Sequence, residues 1–382
     1  GRMNYILGNK INSIDTPSKH KIVINLNKPS SSINGLLTSI YLTPISPTHY
    51  EKHADSFLNN EFVGTGQYIL KRFSNEIQII DPNLKYWGNK TRNQGISFIG
   101  YSNSSSLFGA LKSNQIDVLL SNSIDDSQRN NLRLMSQNGE IKEGISPANE
   151  ISFISLRTNS FPLDNLNLRL ALAKSVNRKL ISDKVSYGLR KPTRSIVPQI
   201  FKKENKEPWP EYDPEEAKKI LKNEGYCQGR VLDIPLTYRS NVPADKLIAL
   251  SWKEDIKNKL NDCLRIQLNG VESTTIYENL SAGLYTAGIL DWTGFYSDPK
   301  AYLTPLLSCS DLDGFHCIKG ESVSSGSFWG SKQVEDLFIE SEATNGKERL
   351  TKLIKIEKIA SDSLPYIPIW ISSQKAWSQN KI

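Results

Sequence analysis

Histidine is scarce in this sequence, and long apolar runs are absent. The chain holds four histidines in 382 residues, so side chains for a direct metal cage are few. No run approaches the roughly 18 consecutive apolar residues of a membrane-spanning helix, which predicts a chain without integral membrane segments. The GxSxG elbow, the Walker A motif and the GxGxxG loop are also missing, so serine hydrolysis and nucleotide chemistry have no support.

Two of the histidines invite comparison with a zinc protease. His49 and His53 stand one helical turn apart, and Glu51 lies between them. A zincin helix places its glutamate directly after the first histidine, whereas here it follows two positions later. We therefore predict a structural helix at this point, with no metal site and no catalytic residue.

The positive charge of the chain is spread thinly. The formal net charge is +7, but lysines stand beside acids, as Lys218 and Lys219 do beside Glu215 and Glu216. A nucleic-acid footprint needs basic residues clustered on one face. The sequence thus predicts solvated helix faces and no nucleic-acid partner.

Cysteine is confined to one region. The four cysteines are Cys227, Cys263, Cys309 and Cys317, and none forms a CxxC pair. An even number in one region suits two local disulfides, Cys227 with Cys263 and Cys309 with Cys317. Such bonds persist in an oxidising compartment. Four reduced, buried thiols remain the alternative.

The second half of the chain has the rhythm of an α/β domain. Asp213 is placed to cap a helix that begins with Pro214, and the acidic residues that follow favour its N-terminal end. A strand over 231–237, a helix over 244–260 and a strand over 264–268 come next. This β-α-β order predicts a largely parallel sheet.

Seven segments in a fixed order resemble one known family. They are residues 62–68 (FVGTGQY), 81–88 (DPNLKYWG), 110–118 (ALKSNQIDV), 164–178 (DNLNLRLALAKSVNR), 212–226 (YDPEEAKKILKNEGY), 283–299 (GLYTAGILDWTGFYSDP) and 365–368 (PYIP). Together they are similar to the family 5 extracellular solute-binding proteins, the oligopeptide, dipeptide and nickel binders of ABC importers. Gln67 stands where the family usually has proline, and Asn114 where it has glycine.

The resemblance implies an α/β fold of the periplasmic-binding-protein type, type II, cluster C. Two lobes are joined by hinge-crossing strands, and residues 1–60 would be the remnant of a small accessory subdomain. Residues 61–155 and 362–382 would form lobe one, and residues 156–361 lobe two. The hinge is expected near 151–159 and again near 361–366. The family's opening portion has no counterpart here, so the chain resembles an N-terminally truncated member.

The implied function is solute binding without catalysis. The resemblance predicts the substrate-binding component of an ABC importer, which captures a peptide-like solute between its lobes and delivers it to a permease. It predicts a monomer with no cofactor, on the extracytoplasmic side, free in the periplasm or lipid-anchored. A solute-sensing or regulatory protein of the same fold and a binder of a chelated metal are the alternatives.

The resemblance also points to ligand contacts around one tryptophan. Trp292 matches a pocket tryptophan of the peptide binders, although a core tryptophan would leave the same sequence pattern. Phe295 replaces the family's aspartate that pairs with the peptide ammonium, so either Asp291 or Asp298 takes that role or the ligand has no free amine. Asp298 is expected to fix the turn before Pro299.

Arg157 is a second departure, because the family commonly has asparagine there. It could face an acidic ligand group or pair internally. The predicted contacts are thus Asp291, Trp292, Thr293, Gly294, Phe295 and Arg157. The changes at Phe295 and Arg157 indicate a ligand more anionic or more apolar than an ordinary peptide.

Overall fold

The computed structural model describes residues 10–50, 62–120, 124–202 and 207–382. Its strands are β1 (Ile11–Ser18), β2 (Lys21–Leu26), β3 (Tyr68–Phe73), β4 (Ile77–Pro82), β5 (Ile96–Ile99), β6 (Val118–Leu120), β7 (Ile141–Leu156), β8 (Lys191–Pro192), β9 (Leu232–Arg239), β10 (Leu264–Val271), β11 (Ala287–Thr293), β12 (Cys309–Asp313), β13 (His316–Gly320) and β14 (Tyr366–Gln379).

Helices alternate with these strands through most of the chain. They are α1 (Ile33–Leu37), α2 (Pro47–Tyr50), α3 (Ser104–Lys112), α4 (Asp126–Gln137), α5 (Leu166–Ser175), α6 (Arg178–Ser186), α7 (Pro214–Asn223), α8 (Pro243–Leu260), α9 (Ser273–Leu280), α10 (Lys300–Leu307), α11 (Glu321–Ser324), α12 (Lys332–Glu342) and α13 (Gly346–Ser363). The predicted helix around His49 and His53 is described as far as Tyr50, and its continuation lies outside the described residues.

Side-chain caps define several of these helices. The carboxylate of Asp213 accepts a hydrogen bond from the Glu216 amide, and Pro214 occupies the first turn of α7, as predicted. Asp125 and Gln128 form a reciprocal capping box at the start of α4. These caps fix where α4 and α7 begin, and the α4 cap also fixes the position of the acidic residues at its N-terminus.

The main sheet is mixed rather than largely parallel. Its strand order is β10-β9-β11-β7-β14-β6, and β8 pairs with β14. The predicted β-α-β passage gives the parallel pairs of β9 with β10 and with β11, but β7 and β14 run antiparallel to their neighbours. The prediction of parallel pairing therefore holds for one side of the sheet and is wrong for the other, because β14 returns from the far end of the chain.

Two hydrophobic cores lie along the two longest strands. The large core contains Ile151, Phe153 and Trp370 among many residues of the second half, and the small core contains Ile141 and Trp377. Strands β7 and β14 contribute to both cores, and they pair with each other from one core to the other. The change of core falls between 141 and 151 on β7, and residues 151–156 are buried. The hinge near 151–159 and the lobe boundaries stay predictions.

Residues between Lys10 and Leu36 pack against the part of the chain that forms the large core. Ser30 and Ser32 donate hydrogen bonds to the Glu342 carboxylate, which also pairs with Lys10 and Lys300. Leu36 is buried, and the ring of Tyr296 lies 3.0 Å from where a side chain at Gly35 would begin. Segment 30–36 is therefore tied to α12 by a buried ionic cluster.

Both predicted disulfides are present. Cys227 is bonded to Cys263 and Cys309 to Cys317, so the alternative of four reduced thiols is wrong. The first bond joins the loop after α7 to the start of β10, and the second joins β12 to β13. Among the described residues, no helix is long and apolar enough to cross a membrane.

Candidate functional site: a charged cavity between the two cores

A cavity of about 630 Å³ lies where the two cores approach each other. Ile124 of the small core and Val185 of the large core both line it. The N-terminal end of α4 forms one wall, and the end of α6 and the start of α8 form the opposite wall. Residues of both hydrophobic cores therefore line the cavity.

Strands β7, β11 and β14 form its floor. Asp291 is the register partner of Ser152, and Glu150 is the partner of both Thr293 and Ser372. Paired residues, and residues two apart on a strand, share one face of a sheet. Asp291, Glu150 and Ser372 consequently line the cavity together.

Asp126 links the two walls. Its carboxylate accepts hydrogen bonds from Arg190 Nε at 3.2 Å and Nη2 at 3.1 Å, and Arg129 lies 3.8 Å away. The Arg190 guanidinium also stacks on Trp370, 4.8 Å from the ring centroid. Burial lowers the pKa of Arg129, and repulsion from Arg190 adds to that effect while Asp126 opposes it. An ion pair between α4 and Arg190, the residue before β8, thus joins two sides of the cavity lining.

Arg239 holds a second ionic cluster behind the floor. It donates to both oxygens of Asp245, at 2.7 and 3.1 Å, and to Asp291 at 2.6 Å. Burial alone would lower the pKa of Arg239, but its hydrogen bonds to the two carboxylates raise it. Arg239 and Asp245 are almost fully buried, whereas the Asp291 side chain is 34% exposed. Of this cluster, Asp291 is the group that reaches the cavity.

Apolar side chains complete the lining. Tyr187 ends α6 in the left-handed conformation, with φ of 54°, which is uncommon for an aromatic residue. Tyr187 lines the cavity, and Val242, Pro243 and Leu247 at the start of α8 line the same wall. The cavity can therefore contact both a charged and an apolar group of one ligand.

Five of the six predicted contacts are not among the described residues that line this cavity. Trp292 follows Asp291 and so points to the other face of β11, where its indole Nε1 donates to the Ala301 carbonyl at 2.8 Å. It is partly buried and packs against the large core. Thr293 shares the face of Asp291 but stands at the end of the strand.

Gly294 packs against α10, and Phe295 packs against its neighbour Tyr296. A side chain at Gly294 would begin 2.6 Å from the Tyr302 ring, so glycine lets the strand pass close to that ring. Tyr302 in turn donates to the Asn149 carbonyl at 2.8 Å. Phe295 packs edge-on against Tyr296, with ring centroids 5.0 Å apart. These residues position the end of β11 from outside the cavity lining.

Arg157 pairs internally, and Asp298 fixes a turn. Arg157 donates to the Gly283 carbonyl and to Asn159, and it stacks on Phe328. It directly follows the last residue of β7 and stands seven residues beyond Glu150, a distance of roughly 23 Å for an extended chain. Asp298 accepts two hydrogen bonds from Arg349, at 2.8 and 2.9 Å, and one from the Lys300 amide. That arrangement agrees with the structural role predicted for Asp298.

Sequence reasoning missed most of the charged lining. Asp126, Arg129, Glu150 and Arg190 belong to no motif, and they come from segments far apart in the chain. Glu150 alone had a partial signal in the sequence. It directly precedes the segment 151–156, which is buried in the structure, so a charged residue at that point marks the edge of the core. Among the described residues, no group of three or more His, Cys, Asp or Glu side chains is arranged to hold a metal ion.

Comparison with known proteins identifies relatives along nearly the whole chain. Heme-binding protein A of Haemophilus influenzae is 24% identical over 373 residues, which cover 94% of this chain and 64% of that protein. The periplasmic murein peptide-binding protein MppA of Escherichia coli is 25% identical over 300 residues, 76% of this chain and 54% of that protein. The chain thus spans less than two-thirds of the length of these curated relatives.

A solved structure shows the same fold. The crystal structure of a dipeptide binding protein from Pseudoalteromonas sp. SM9913, in complex with Met-Leu, matches with a TM-score of 0.78 and 21% identity, over 97% of this chain and 72% of that one. The predicted α/β fold of the type II periplasmic-binding-protein type is confirmed. Residues 1–314 also match the family model for bacterial extracellular solute-binding proteins, family 5 Middle. The chain belongs to that family, as its seven ordered segments predicted.

Proposed function

We propose that this protein binds a peptide-like solute in the charged cavity and presents it to the permease of an ABC importer. The observation that carries the proposal is a cavity lined from both cores and floored by strands that run through both. A ligand that contacts both walls favours the closed arrangement by its differential affinity for it. Family membership and peptide-binding relatives support this choice.

The dimensions and chemistry of the cavity suit a small polar solute. Its volume of about 630 Å³ lies within the roughly 300–1000 Å³ typical of small-molecule sites. Charged groups on the floor and walls can orient a ligand, while Tyr187 and Leu247 can cover its apolar part. We infer that the protein releases its ligand without changing it chemically, because the family consists of solute-binding proteins.

The proposal also covers the compartment in which the protein acts. The two disulfides suit an oxidising compartment, and the family is described as extracellular. We infer a monomer that acts outside the cytoplasm, free or lipid-anchored, and meets its permease at the membrane surface.

Native mass spectrometry of the purified protein tests the function. The protein would be incubated with an equimolar library of di-, tri- and tetrapeptides, and retained peptides would be released and sequenced. We expect one peptide per protein, recovered intact after prolonged incubation. Capture of none of the library, or recovery of cleaved peptides, would contradict the proposal.

A further inference from the structure

We propose that a second cavity, at the N-terminal end of α6, binds an anionic oxygen group, a carboxylate or a phosphate, of a small solute. This anion cavity has a volume of about 310 Å³, at the lower end of the roughly 300–1000 Å³ typical of small-molecule sites. The start of α6 and residues of the segments 192–194 and 207–212 line it. None of them lines the charged cavity between the two cores, so the inference does not depend on the proposed function.

One buried guanidinium gives the anion cavity its chemistry. Arg178 lines the cavity and is only 5% exposed. Its Nε donates to the Pro368 carbonyl at 2.6 Å, and its Nη1 donates to the Pro210 carbonyl at 3.2 Å. Its Nη2 is buried and has no hydrogen-bond partner among the described residues. A buried donor without a partner is unfavourable, so Arg178 has an unused capacity to bind an acceptor.

The acids that line the anion cavity are held by a different arginine. Arg194 Nε lies 3.5 Å from the Glu207 carboxylate, and its Nη2 lies 3.0 Å from Glu211. The Thr193 hydroxyl also donates to Glu207, at 3.1 Å. Within the described part of the chain, Arg178 consequently contacts backbone carbonyls and no carboxylate.

The less exposed part of this lining carries a net positive charge. Glu211 and Lys179 are largely exposed, so water and salt screen their charges. Arg178, Arg194 and Glu207 remain, and their charges sum to one positive charge. Burial lowers the pKa of Arg178 to about 10, and repulsion from Arg194 adds to that effect while Glu207 opposes it. An anion beside Arg178 would offset both the burial and the repulsion.

The helix end at the anion cavity favours the same sign of charge. Asn177, Arg178 and Lys179 bring the start of α6 to the cavity, and the Asn177 side chain accepts from the Leu180 amide at 3.0 Å. The first turn of a helix carries a partial positive charge, which stabilises an anion close to it. The guanidinium and the helix thus select for one kind of ligand group.

Apolar surface is available for the rest of the solute. Pro192 and Tyr212 line the anion cavity, and the Tyr212 hydroxyl donates to Asp255 at 2.9 Å, which holds the ring in place. Carboxylates and phosphates both offer the oxygen atoms that a guanidinium binds. An organic acid and a phosphate share this chemistry, and the experiment separates them.

Isothermal titration calorimetry of the purified protein at constant ionic strength tests the inference with three probes. They are inorganic phosphate, para-bromobenzoate and its uncharged analogue para-bromobenzamide. We expect at least one anion to bind, and the benzamide to bind at least about tenfold more weakly than that anion, because it lacks the charge. Binding of phosphate alone would identify a phosphate site, and binding of the benzoate alone a carboxylate site. Binding of neither anion, or a benzamide that binds as tightly as the better anion, would overturn the inference.

Two matched variants locate the interaction. Arg178→Gln should weaken binding of the anion about tenfold or more, because it removes the charged donor. Arg265→Gln is the control, since it removes a surface guanidinium whose partner, Asp233, lies 3.6 Å away, and it should bind the anion as the wild type does. Circular dichroism melts verify that both variants fold. Wild-type affinity in folded Arg178→Gln would overturn the inference.

Crystals of the wild type give an answer that does not depend on the folding of a variant. They would be soaked with para-bromobenzoate, or with selenate in place of phosphate if phosphate is the anion that binds. We expect an anomalous peak of bromine or selenium in the anion cavity, with the oxygens of the probe at Arg178. A bound probe located elsewhere on the molecule would overturn the inference and leave the proposed function standing.

Discussion

At the scale of single residues, Asp126 has the most demanding environment in the cavity. Its carboxylate is 6% exposed and lies between two guanidinium groups, those of Arg129 and Arg190, which are also largely buried. A buried ion pair contributes little net stability relative to apolar packing, but removal of one partner leaves charge without compensation. Asp126 is therefore the member of the cluster whose loss affects most interactions.

Replacement of Asp126 by asparagine should lower the free energy of unfolding by about 3 kcal/mol, because two buried arginines lose their carboxylate. Urea denaturation followed by circular dichroism measures the change. Asp336→Asn removes an exposed partner of Lys332 and should change stability by less than about 1 kcal/mol. If Asp126→Asn behaves like this control, the buried cluster does not stabilise the fold as described.

Glu342 gives the molecule a defined response to acid. Burial would raise the pKa of Glu342, but the charge and hydrogen bonds of Lys300, with help from Ser30 and Lys10, lower it to about 2. A carboxylate with a lowered pKa in the folded state stabilises the fold above its unfolded pKa of about 4.5, and that stability is lost as pH falls toward about 2.

The melting temperature of the wild type should therefore fall steeply between about pH 4.5 and pH 2. Glu342→Gln should be less stable at neutral pH and should flatten this part of the curve. Differential scanning calorimetry at closely spaced pH values would show both effects. Parallel curves for the two proteins would mean that another carboxylate causes the acid sensitivity.

At the scale of elements, three residues hold the end of β11 against α10. They are Trp292, Gly294 and Tyr302. Gly294 lets Tyr302 approach, and the Tyr302 hydroxyl attaches α10 to β7 through the Asn149 carbonyl. The Trp292 indole bonds to the same helix at Ala301. One of the seven segments that resemble the family, residues 283–299, thus joins the floor of the cavity to its supporting helix.

A pair of glycine-to-alanine variants tests this junction. Gly294→Ala should destabilise the protein by about 1–3 kcal/mol, because the new methyl group meets a ring that cannot move without losing a hydrogen bond. Gly109→Ala should stabilise it by up to about 1 kcal/mol, since Gly109 lies exposed in α3 with no atom within 4 Å of the added carbon. Thermal melts compare the two, and equal effects would refute the argument.

Local patterns predicted elements better than they predicted the site. The Asp213–Pro214 signal gave the start of α7, and the strand-helix-strand rhythm gave β9, α8 and β10, because caps and periodicity act over short distances. The order of local elements did not predict that β14 pairs antiparallel with β7. The two strands are more than 200 residues apart in the chain, and pairing at that distance leaves no pattern in either local segment. Asp291 was named because it lies in a segment that resembles the family, whereas Arg190 and Asp126 lie in none of the seven segments.

At the scale of the whole molecule, burial is uneven. Every residue of β3, β4 and β5 is at least partly exposed, whereas 151–156 on β7 are all buried. Exposed apolar side chains accompany the small sheet, with Leu84 and Trp87 each 83% exposed. Local stability follows the number of buried apolar contacts, so it should differ between these regions.

Hydrogen–deuterium exchange should reveal this difference directly. Amides of β3, β4 and β5 should exchange well before those of 151–156, because a sheet with little buried surface opens more readily. Peptide-resolved mass spectrometry of the intact protein at neutral pH measures the order. Simultaneous exchange of both regions would indicate that the described residues unfold as one cooperative unit.

The placement of the disulfides has a practical consequence. Both bonds close within the chain between Cys227 and Cys317, a stretch that includes the cavity wall at α8, whereas α4 on the opposite wall is joined to Arg190 by an ion pair. Reduction should consequently destabilise the part of the large core that the two disulfides hold, and it should leave the ion pair between Asp126 and Arg190 unchanged. A sample handled with dithiothreitol should therefore melt at a lower temperature than an oxidised one, even though the contact between Asp126 and Arg190 is not a covalent bond that a reductant can break.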